Sequence, residues 1–455
     1  MTENETPGRV KIKNEAEEER GRIPEDRAPV SVLPLPDSGS PIVPGTVPIA
    51  ARRDLLRLHK ELWYTTREDG RGMGLCEKAR KNTLLRYSMS FANENLANEK
   101  PLRVAIVGYG LAGAVFHAPL IENTPGMAVT AIVTSDPGRR IQALRDFPRV
   151  TLYASVEELW RDAARYDLAV IATPNRSHVP LGIAALYAGL PVVIDKPMAP
   201  SVAEAQKLIE ASQKAGKVLT VFQNRRWDND FRTIRSLLDA DLDLLGQVTH
   251  FESRFERYRP NPRYETWREQ SDPEEAGGLL YDLGSHLIDQ ALVLFGQPTR
   301  VYAESERRRP GVQVDDDTFV SLRFPSGVYA HLWMSSVARI PGPRMRISGL
   351  RGTYEKWGLD PQEDDLRDGK RPGSPEWGQE PREKWGHLST DISGICINDG
   401  LIEMLPGAYE QFYIFLRVAL LMGGPPPVDP LEAIETLRVI EAAQESIRSG
   451  QAIRL

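Results

Sequence analysis

Arg103-Val-Ala-Ile-Val107-Gly108-Tyr-Gly110-Leu-Ala-Gly113 decides how this chain is read. A short apolar run ends at a glycine, and a helical pattern opens within the next few residues. The three glycines fit GxGxxG, and each has a physical task there. Gly108 permits a tight turn, Gly110 lets a pyrophosphate approach the backbone, and Gly113 lets the helix lie close to the strand. The helix N-terminus offers free N–H groups and a partial positive charge to phosphate. Gly108, Gly110, Leu111, Ala112 and Gly113 are therefore the expected cofactor-binding turn. The competing reading is a purely structural turn in another doubly wound fold.

The sequence on either side supports the first reading. Strand-like runs follow at Ala128–Val133, Leu168–Ala172, Pro191–Ile194 and Val218–Val221, with helical segments between them. In one of these, Ser201 stands three residues before Glu204, the pattern of a capping box. Alternating strands and helices predict a parallel sheet covered on both faces. Beyond residue 222 strand-like runs succeed one another directly: Val248–Phe255, Val301–Glu306, Phe319–Phe324, Val328–Ser335 and Met345–Ser348. Tyr329, His331 and Trp333 alternate with Ala330, Leu332 and Met334, as in an antiparallel sheet with one covered face. Residues 360–389 are rich in Gly, Pro and charge and read as a long surface loop. A last helix is predicted over Leu431–Ser449, between Asp429-Pro430 and Gly450. The expected class is α/β: a Rossmann doubly wound parallel sheet over 101–222, then an α+β domain with a large, mainly antiparallel open sheet over 223–455.

Residues 1–100 have a different texture. Thr2–Pro48 is rich in Glu, Pro, Ser and Gly and reads as disordered; Leu55, Leu56, Leu58, Leu62 and Trp63 suggest one amphipathic helix. Met89 is an alternative start, which peptides from before it would refute. Across all 455 residues the formal net charge is −6, which argues against a phosphate-driven nucleic-acid binder. No apolar run is long enough for a transmembrane helix, and the acidic N-terminus resembles neither a secretory signal nor a transit peptide. Cys76 and Cys396 form no CxxC, so neither a disulfide framework nor a cysteine zinc site is expected, and a cytoplasmic setting is the default. No metal is expected. Asp315-Asp316-Asp317 reads as a polar turn or sheet edge, and Arg307-Arg308-Arg309 as a solvated loop.

The end of the second strand bears on cofactor choice. Thr134 stands where an NAD enzyme usually carries an acid for the ribose hydroxyls. Thr134 and Ser135 can donate to a 2′-phosphate, and Arg139 or Arg140 can pair with it, which favours NADP. Asp136 as the ribose ligand would instead favour NAD.

Two motifs carry the chemistry. Asp195-Lys196-Pro197 ends a parallel strand, where open α/β sheets bind their ligands. In Gly277–Asp289, Leu280, Leu283, Leu287, Ala291 and Leu294 form one apolar stripe, while Asp282 and His286 share another face at i,i+4 spacing. A carboxylate beside imidazole can orient the ring and favour its charged form, useful to a group that takes a proton from an alcohol as hydride leaves its carbon. Gly284 inside this helix points to close approach by ligand or backbone, with a packing need as the alternative.

Taken together, the glycine fingerprint, Ala172-Thr-Pro-Asn175…His178, Asp195-Lys196-Pro197 and Gly277–Asp289 resemble the glucose-fructose oxidoreductase / inositol dehydrogenase / rhizopine catabolism family from about Leu102 to Leu455. Phe116-His117-Ala-Pro119, Phe222-Gln-Asn-Arg-Arg-Trp227 and Leu359-Asp-Pro-Gln-Glu363 resemble its branch of NADP-dependent scyllo-inositol dehydrogenases. The resemblance implies a hydride transfer between nicotinamide and a cyclitol or sugar alcohol, and homodimer or homotetramer contacts through the open sheet. It implies that Lys196 binds the reacting hydroxyl, that His286 is the general acid/base, and that Asp282 holds substrate hydroxyls and orients His286. Thr173, Pro174, Asn175 and His178 would line the nicotinamide side; Gln223, Asn224, Arg225 and Trp227 would neighbour the substrate. The chain departs from the family at Asp195, where glutamate is usual, so its reach to the nicotinamide ribose changes. His117 reads as a packing or cofactor-side residue. Reduction of another small carbonyl or a dihydrodiol, or nucleotide sensing without catalysis, are the alternatives.

Overall fold

The computed structural model describes residues 100–239, 243–264, 266–392 and 396–455, so the readings of the N-terminal tail and of a helix near Leu55 lie outside the described residues. The opening run forms strand β1 (Leu102–Val107), and residues 112–122 form helix α1, whose first part is a π turn. β2 (Met127–Val133), α2 (Pro137–Asp146), β3 (Thr151–Tyr153) and α3 (Val156–Arg161) follow. Then come β4 (Leu168–Ile171), α4 (His178–Tyr187), β5 (Val192–Asp195), α5 (Val202–Ala215) and β6 (Leu219–Phe222). The six strands form one parallel sheet in the order β3-β2-β1-β4-β5-β6. β1 lies between β2 and β4, so the chain reverses its direction of travel across the sheet there, and the crevice beyond that reversal is where such sheets bind ligands. The central strands are apolar because they are covered on both faces: every residue of β4 and β6 is buried. Ser201 caps α5 by accepting from Glu204 N, and Gly216 ends it with φ +62°.

After α6 (Asn229–Asp239) the chain builds a second sheet from β7 (Val248–Glu256), β8 (Arg300–Glu306), β9 (Asp317–Arg323), β10 (Tyr329–Ser335), β11 (Met345–Gly349), β12 (Gly352–Lys356), β13 (Gly386–Ile392), β14 (Cys396–Ile402) and β15 (Ile453–Arg454). The order is β14-β13-β12-β11-β7-β10-β9-β8-β15; β7 and β10 pair in parallel and every other pairing is antiparallel. The expected alternation holds in β10, where Ala330, Leu332 and Met334 are buried. Tyr329, His331 and Trp333 occupy the other face, with the Phe319 ring 5.2 Å from Trp333 and the Arg254 guanidinium 3.8 Å above it. The covered face is packed by α7 (residues 280–295) and by the last helix, α10 (Pro430–Ser449). α8 (Gln362–Arg367) and α9 (Glu410–Met422) complete the set of longer helices. α10 begins as read: the Asp429 side chain accepts from Leu431 N, and Gly450 closes the helix with φ +67°.

Two sequence expectations are corrected. Residues 360–389 are not one long surface loop, since they hold α8 and the start of β13. Asp360 and Gln362 are buried: Asp360 accepts from Asn229 N at 2.7 Å, and Gln362 Oε1 from Tyr409 N at 2.7 Å. The arginine triplet is not wholly solvated either, because Arg309 is buried on Asp316 at 2.8 Å. Asp315 caps α7 through Leu280 N, which accounts for a second acid of that run.

Candidate active site

At the switch point the glycines differ in what confines them. Gly108 has φ +97°, and a Cβ there would stand 2.5 Å from Ala172 O. A Cβ on Gly113 would stand 2.1 Å from Gly108 O. Gly110 meets nothing closer than the Arg139 guanidinium at 3.7 Å, so protein packing does not demand its lack of a side chain. The space over Gly110 suits a ligand phosphate lying against the backbone with an arginine at hand. At the end of β2, Thr134 is buried while Ser135 and Arg139 are exposed. Asp136 spends its carboxylate capping α2, accepting from Arg139 N at 2.8 Å. Arg140 is turned inward onto the carbonyls of Thr134 and Tyr153, at 3.2 and 3.1 Å.

The turn after β4 holds Thr173, Pro174 and Asn175. Asn175 is buried, donates to Glu275 O at 2.8 Å, and leaves its Oδ1 without a partner. His178 is also buried: Nδ1 faces Pro197 O and Nε2 faces Thr173 O, each at 2.9 Å. It thus ties the β4 turn to the β5 turn, and burial holds its pKa below the usual imidazole value. The Lys196–Pro197 peptide is cis. Asp195 accepts from the following Lys196 N–H at 2.8 Å, so this acid is folded back on its own turn.

β5 delivers Lys196 and the π turn at the head of α7 delivers Asp282. Lys196 Nζ donates to Asp282 O at 2.6 Å and lies 3.1 Å from Oδ1. Arg268 Nε lies 3.3 Å from the same Oδ1, and Arg257 reaches within 3.8 Å of Oδ2. Burial alone would raise the Asp282 pKa, but Lys196, Arg268 and Arg257 outweigh it and hold the carboxyl far below its usual range. His286, one turn on, is buried with Nδ1 unpartnered. No hydrogen bond joins it to Asp282, because the π turn, with its i→i+5 bonds, displaces Asp282 from the α-helical i,i+4 register and aims it at Lys196. Burial, then Lys196 and Arg225, push the imidazole well below its ordinary pKa despite the opposing pull of Asp282. The spacing had suggested a charged ring; the buried geometry gives a neutral one, suited to accept a proton. Gly284 is explained by packing, since a Cβ there would meet Leu280 and Met334 at 3.3 Å.

Of the residues after β6, Arg225 stands beside His286 and pairs with Glu363 at 3.0 Å. Gln223 and Asn224 are buried, and Gln223 Oε1 has no partner. Trp227 packs edge-on against Phe412, 5.8 Å away, and its carbonyl accepts from Gln362 and Ala408. His117 is buried against Phe222 with Nδ1 2.6 Å from Tyr413 Oη. Sequence reading did not single out Arg257 and Arg268 at Asp282, or Glu363 as the partner of Arg225. In sequence they look like any solvated charges; only the end of β7 and the turn at Trp267–Glu269 bring the two arginines inward. No group of metal-binding side chains occurs among the described residues.

Residues 102–223 match the oxidoreductase family, NAD-binding Rossmann fold, and residues 241–455 the oxidoreductase family, C-terminal alpha/beta domain. The chain belongs to the Gfo/Idh/MocA family. It is an NAD(P)-dependent oxidoreductase of that family. It is 40% identical to "Uncharacterized oxidoreductase YdgJ" of Escherichia coli over 76% of this chain and 96% of that one. It is 36% identical to "scyllo-inositol 2-dehydrogenase (NADP(+)) IolW" of Bacillus subtilis over 78% and 96%. The solved structure of yvaA from Bacillus subtilis superposes with a TM-score of 0.73 at 35% identity, over 78% of this chain and 99% of that one. No described helix is long and apolar enough to cross a membrane.

Proposed function

We propose that this Gfo/Idh/MocA enzyme passes a hydride between NADP and a secondary alcohol or ketone of a cyclitol or sugar, with scyllo-inositol among the candidates. The observation that carries the reading is Lys196 held on Asp282 beside a buried, neutral His286 whose Nδ1 is unpartnered. Bound nicotinamide supplies the hydride acceptor in oxidation and the donor in reduction. Lys196 holds the reacting oxygen and favours its loss of a proton. His286 takes that proton as the C–H bond breaks, and returns it in the reverse direction. Asp282 fixes Lys196 and receives neighbouring hydroxyls. Asn175, with its free Oδ1, and the turn pinned by His178 border the nicotinamide side.

NADP is favoured over NAD because Asp136 is committed to capping α2, while Thr134, Ser135 and Arg139 stand at the end of β2. The similarity to IolW, a scyllo-inositol 2-dehydrogenase (NADP(+)), supports this choice. The face of the second sheet bearing Phe319, Tyr329, His331 and Trp333 is read as the contact of a homodimer or homotetramer; analytical ultracentrifugation showing only monomer refutes that. The decisive test measures reduced-nicotinamide formation with NADP and NAD across inositols, aldoses and dihydrodiols. Lys196→Ala and His286→Ala are expected to cripple turnover while cofactor binding stays nearly intact. Unchanged turnover in either variant removes the role assigned to that residue.

A further inference from the structure

The turns around the cleft are fastened to one another in a closed ring. In the turn after β4, His178 faces Thr173 O and Pro197 O, each at 2.9 Å, and so holds the turn after β5. Lys196 in that second turn donates to Asp282 at the head of α7, and Asp282 N donates to Gly278 O at 3.0 Å. Residues 272–278 then return to the turn after β4. Asn175 Nδ2 donates to Glu275 O at 2.8 Å, Arg176 Nε pairs with the Glu275 carboxylate, and Arg176 Nη2 lies 2.9 Å from Asp272 Oδ2. This last link differs from the others. The Glu275 side chain is 6% exposed and that of Arg176 45%, so an arginine at the surface clasps an acid inside. Among the described residues Arg176 is the only donor to that carboxylate, whose Oε2 is buried with no partner. Ala276, the next residue, is held at φ +46°, a left-handed conformation that alanine keeps only where its surroundings impose it.

The Arg176–Asp272 pair is exposed on both sides and contributes little by itself. The Glu275 contact is the stronger one, because removing the partner of a buried acid strands its charge. We infer that Arg176 is a positioning residue for hydride transfer: by clasping Glu275 it fixes the turn that leads to Asp282 and His286 against the turn that borders the nicotinamide. This rests on the dehydrogenase reading above and adds to it a residue that acts through others. The two reactants are held from different sheets, the nicotinamide by the turns of the first and the alcohol in large part by α7 against the second. A slip of about 1 Å between reacting groups costs about a hundredfold in rate, so loss of the clasp lowers kcat far more than it raises the KM for cofactor.

The test compares wild type with Arg176→Gln, Arg176→Lys and the double variant Arg176→Gln/Glu275→Gln, all as full chains. Titration with NADPH reads affinity and the fluorescence lifetime of the bound nicotinamide without any substrate. Arg176→Gln is expected to bind NADPH within about threefold of wild type, since the glycine turn and Arg139 are untouched. Its bound nicotinamide is expected to show a shorter lifetime, nearer that of free NADPH. In the NADPH complex, amide exchange over residues 173–178 and 272–286 should quicken by at least about tenfold while the rest of the chain is unchanged. With the polyol of the inositol and aldose panel that wild type oxidises fastest, kcat should fall by at least about tenfold and the KM for NADP by no comparable factor. Arg176→Lys should restore part of each loss, and so should the double variant, which leaves no stranded charge. Lifetime and kcat both equal to wild type overturn the inference, even if exchange quickens, because the clasp is then structural alone. A fall in NADPH affinity as large as the fall in kcat also overturns it, by placing Arg176 in cofactor binding. A shortened lifetime in an enzyme that oxidises no polyol supports the positioning and sinks the dehydrogenase reading.

Discussion

Substituting Gly110 and Gly113 separately distinguishes a turn built for packing from a turn built for a ligand. At Gly113 an added methyl would stand 2.1 Å from Gly108 O, more than 1 Å inside an ordinary contact, and the obstacle is backbone. Alanine gains about 1 kcal/mol in helix propensity, but overpacking against a backbone carbonyl this close costs about 3 kcal/mol, the upper end of the usual range, so Gly113→Ala is expected to lose about 2 kcal/mol of stability. At Gly110 the nearest atom is an arginine nitrogen at 3.7 Å, and the backbone is not left-handed. Gly110→Ala is therefore expected to leave stability unchanged or raise it by about 0.5 kcal/mol through the unfolded chain. Its methyl would fill the space above the turn and cost the pyrophosphate at least one charge-assisted hydrogen bond. That is about 1.5–3 kcal/mol, or at least a tenfold weaker Kd. Urea unfolding of the cofactor-free protein and fluorescence titration with NADPH give the two quantities independently. A Gly110→Ala protein that binds NADPH as tightly as wild type refutes the placement of the pyrophosphate; one that is destabilised as much as Gly113→Ala refutes the claim that the space is reserved for a ligand.

Two further outcomes are expected. Arg139→Ala should raise KM for NADP by about tenfold while shifting that for NAD much less, since one guanidinium–phosphate contact is lost; equal changes for both cofactors reject Arg139 as the 2′-phosphate residue. His117 is pushed down to about 4 by burial, against the pull of Asp195 and with that of His178, so between pH 6.5 and 4 the unfolded chain takes up a proton that the folded ring refuses. Folding stability from this residue is thus complete above pH 6.5 and falls by about 3 kcal/mol as the pH drops to 4. Chemical denaturation of wild type and His117→Asn across that range should show their difference shrinking on acidification, and a constant difference contradicts the buried neutral ring.

The parallel half of the fold was legible because both of its signals are local: strands buried on two faces are continuous apolar runs, and Gly108, Gly110 and Gly113 sit at the positions where backbone must come close to something. The second sheet was legible through the alternation in β10, less so through β12 and β13. Residues 360–389 look like a loop because their charge and proline content is what a loop has. Their burial comes from Asn229, Trp227 and Tyr409, partners at least 47 residues away in the chain. Arg309 illustrates the same limit, being indistinguishable from its neighbours until Asp316 folds back on it. In the site, Lys196, Asp282 and His286 do converge, with Asp282 hydrogen-bonded to Lys196 and acting on His286 only through its charge. A π turn changes which side chains stack, and no residue type announces it. The arginines around Asp282 were overlooked because their significance lies in their number at one carboxylate, a property of the folded chain alone.

The route of α10 has a consequence for how the molecule is made. This helix packs against β8 and α7 of the second sheet's domain and also against α5 and β6 of the first. The segment leading into it bonds to β6 through Thr220 and Val428 at 2.8 Å, and Glu432 within it pairs with Arg226 at 2.6 Å. The nucleotide-binding half is thus finished by residues that leave the ribosome more than 200 positions after its last strand. During synthesis that half must wait with an apolar flank uncovered. A chain halted shortly before Pro430 would leave both halves short of the same helix, so loss of α10 should be felt in nucleotide affinity as well as in the second sheet.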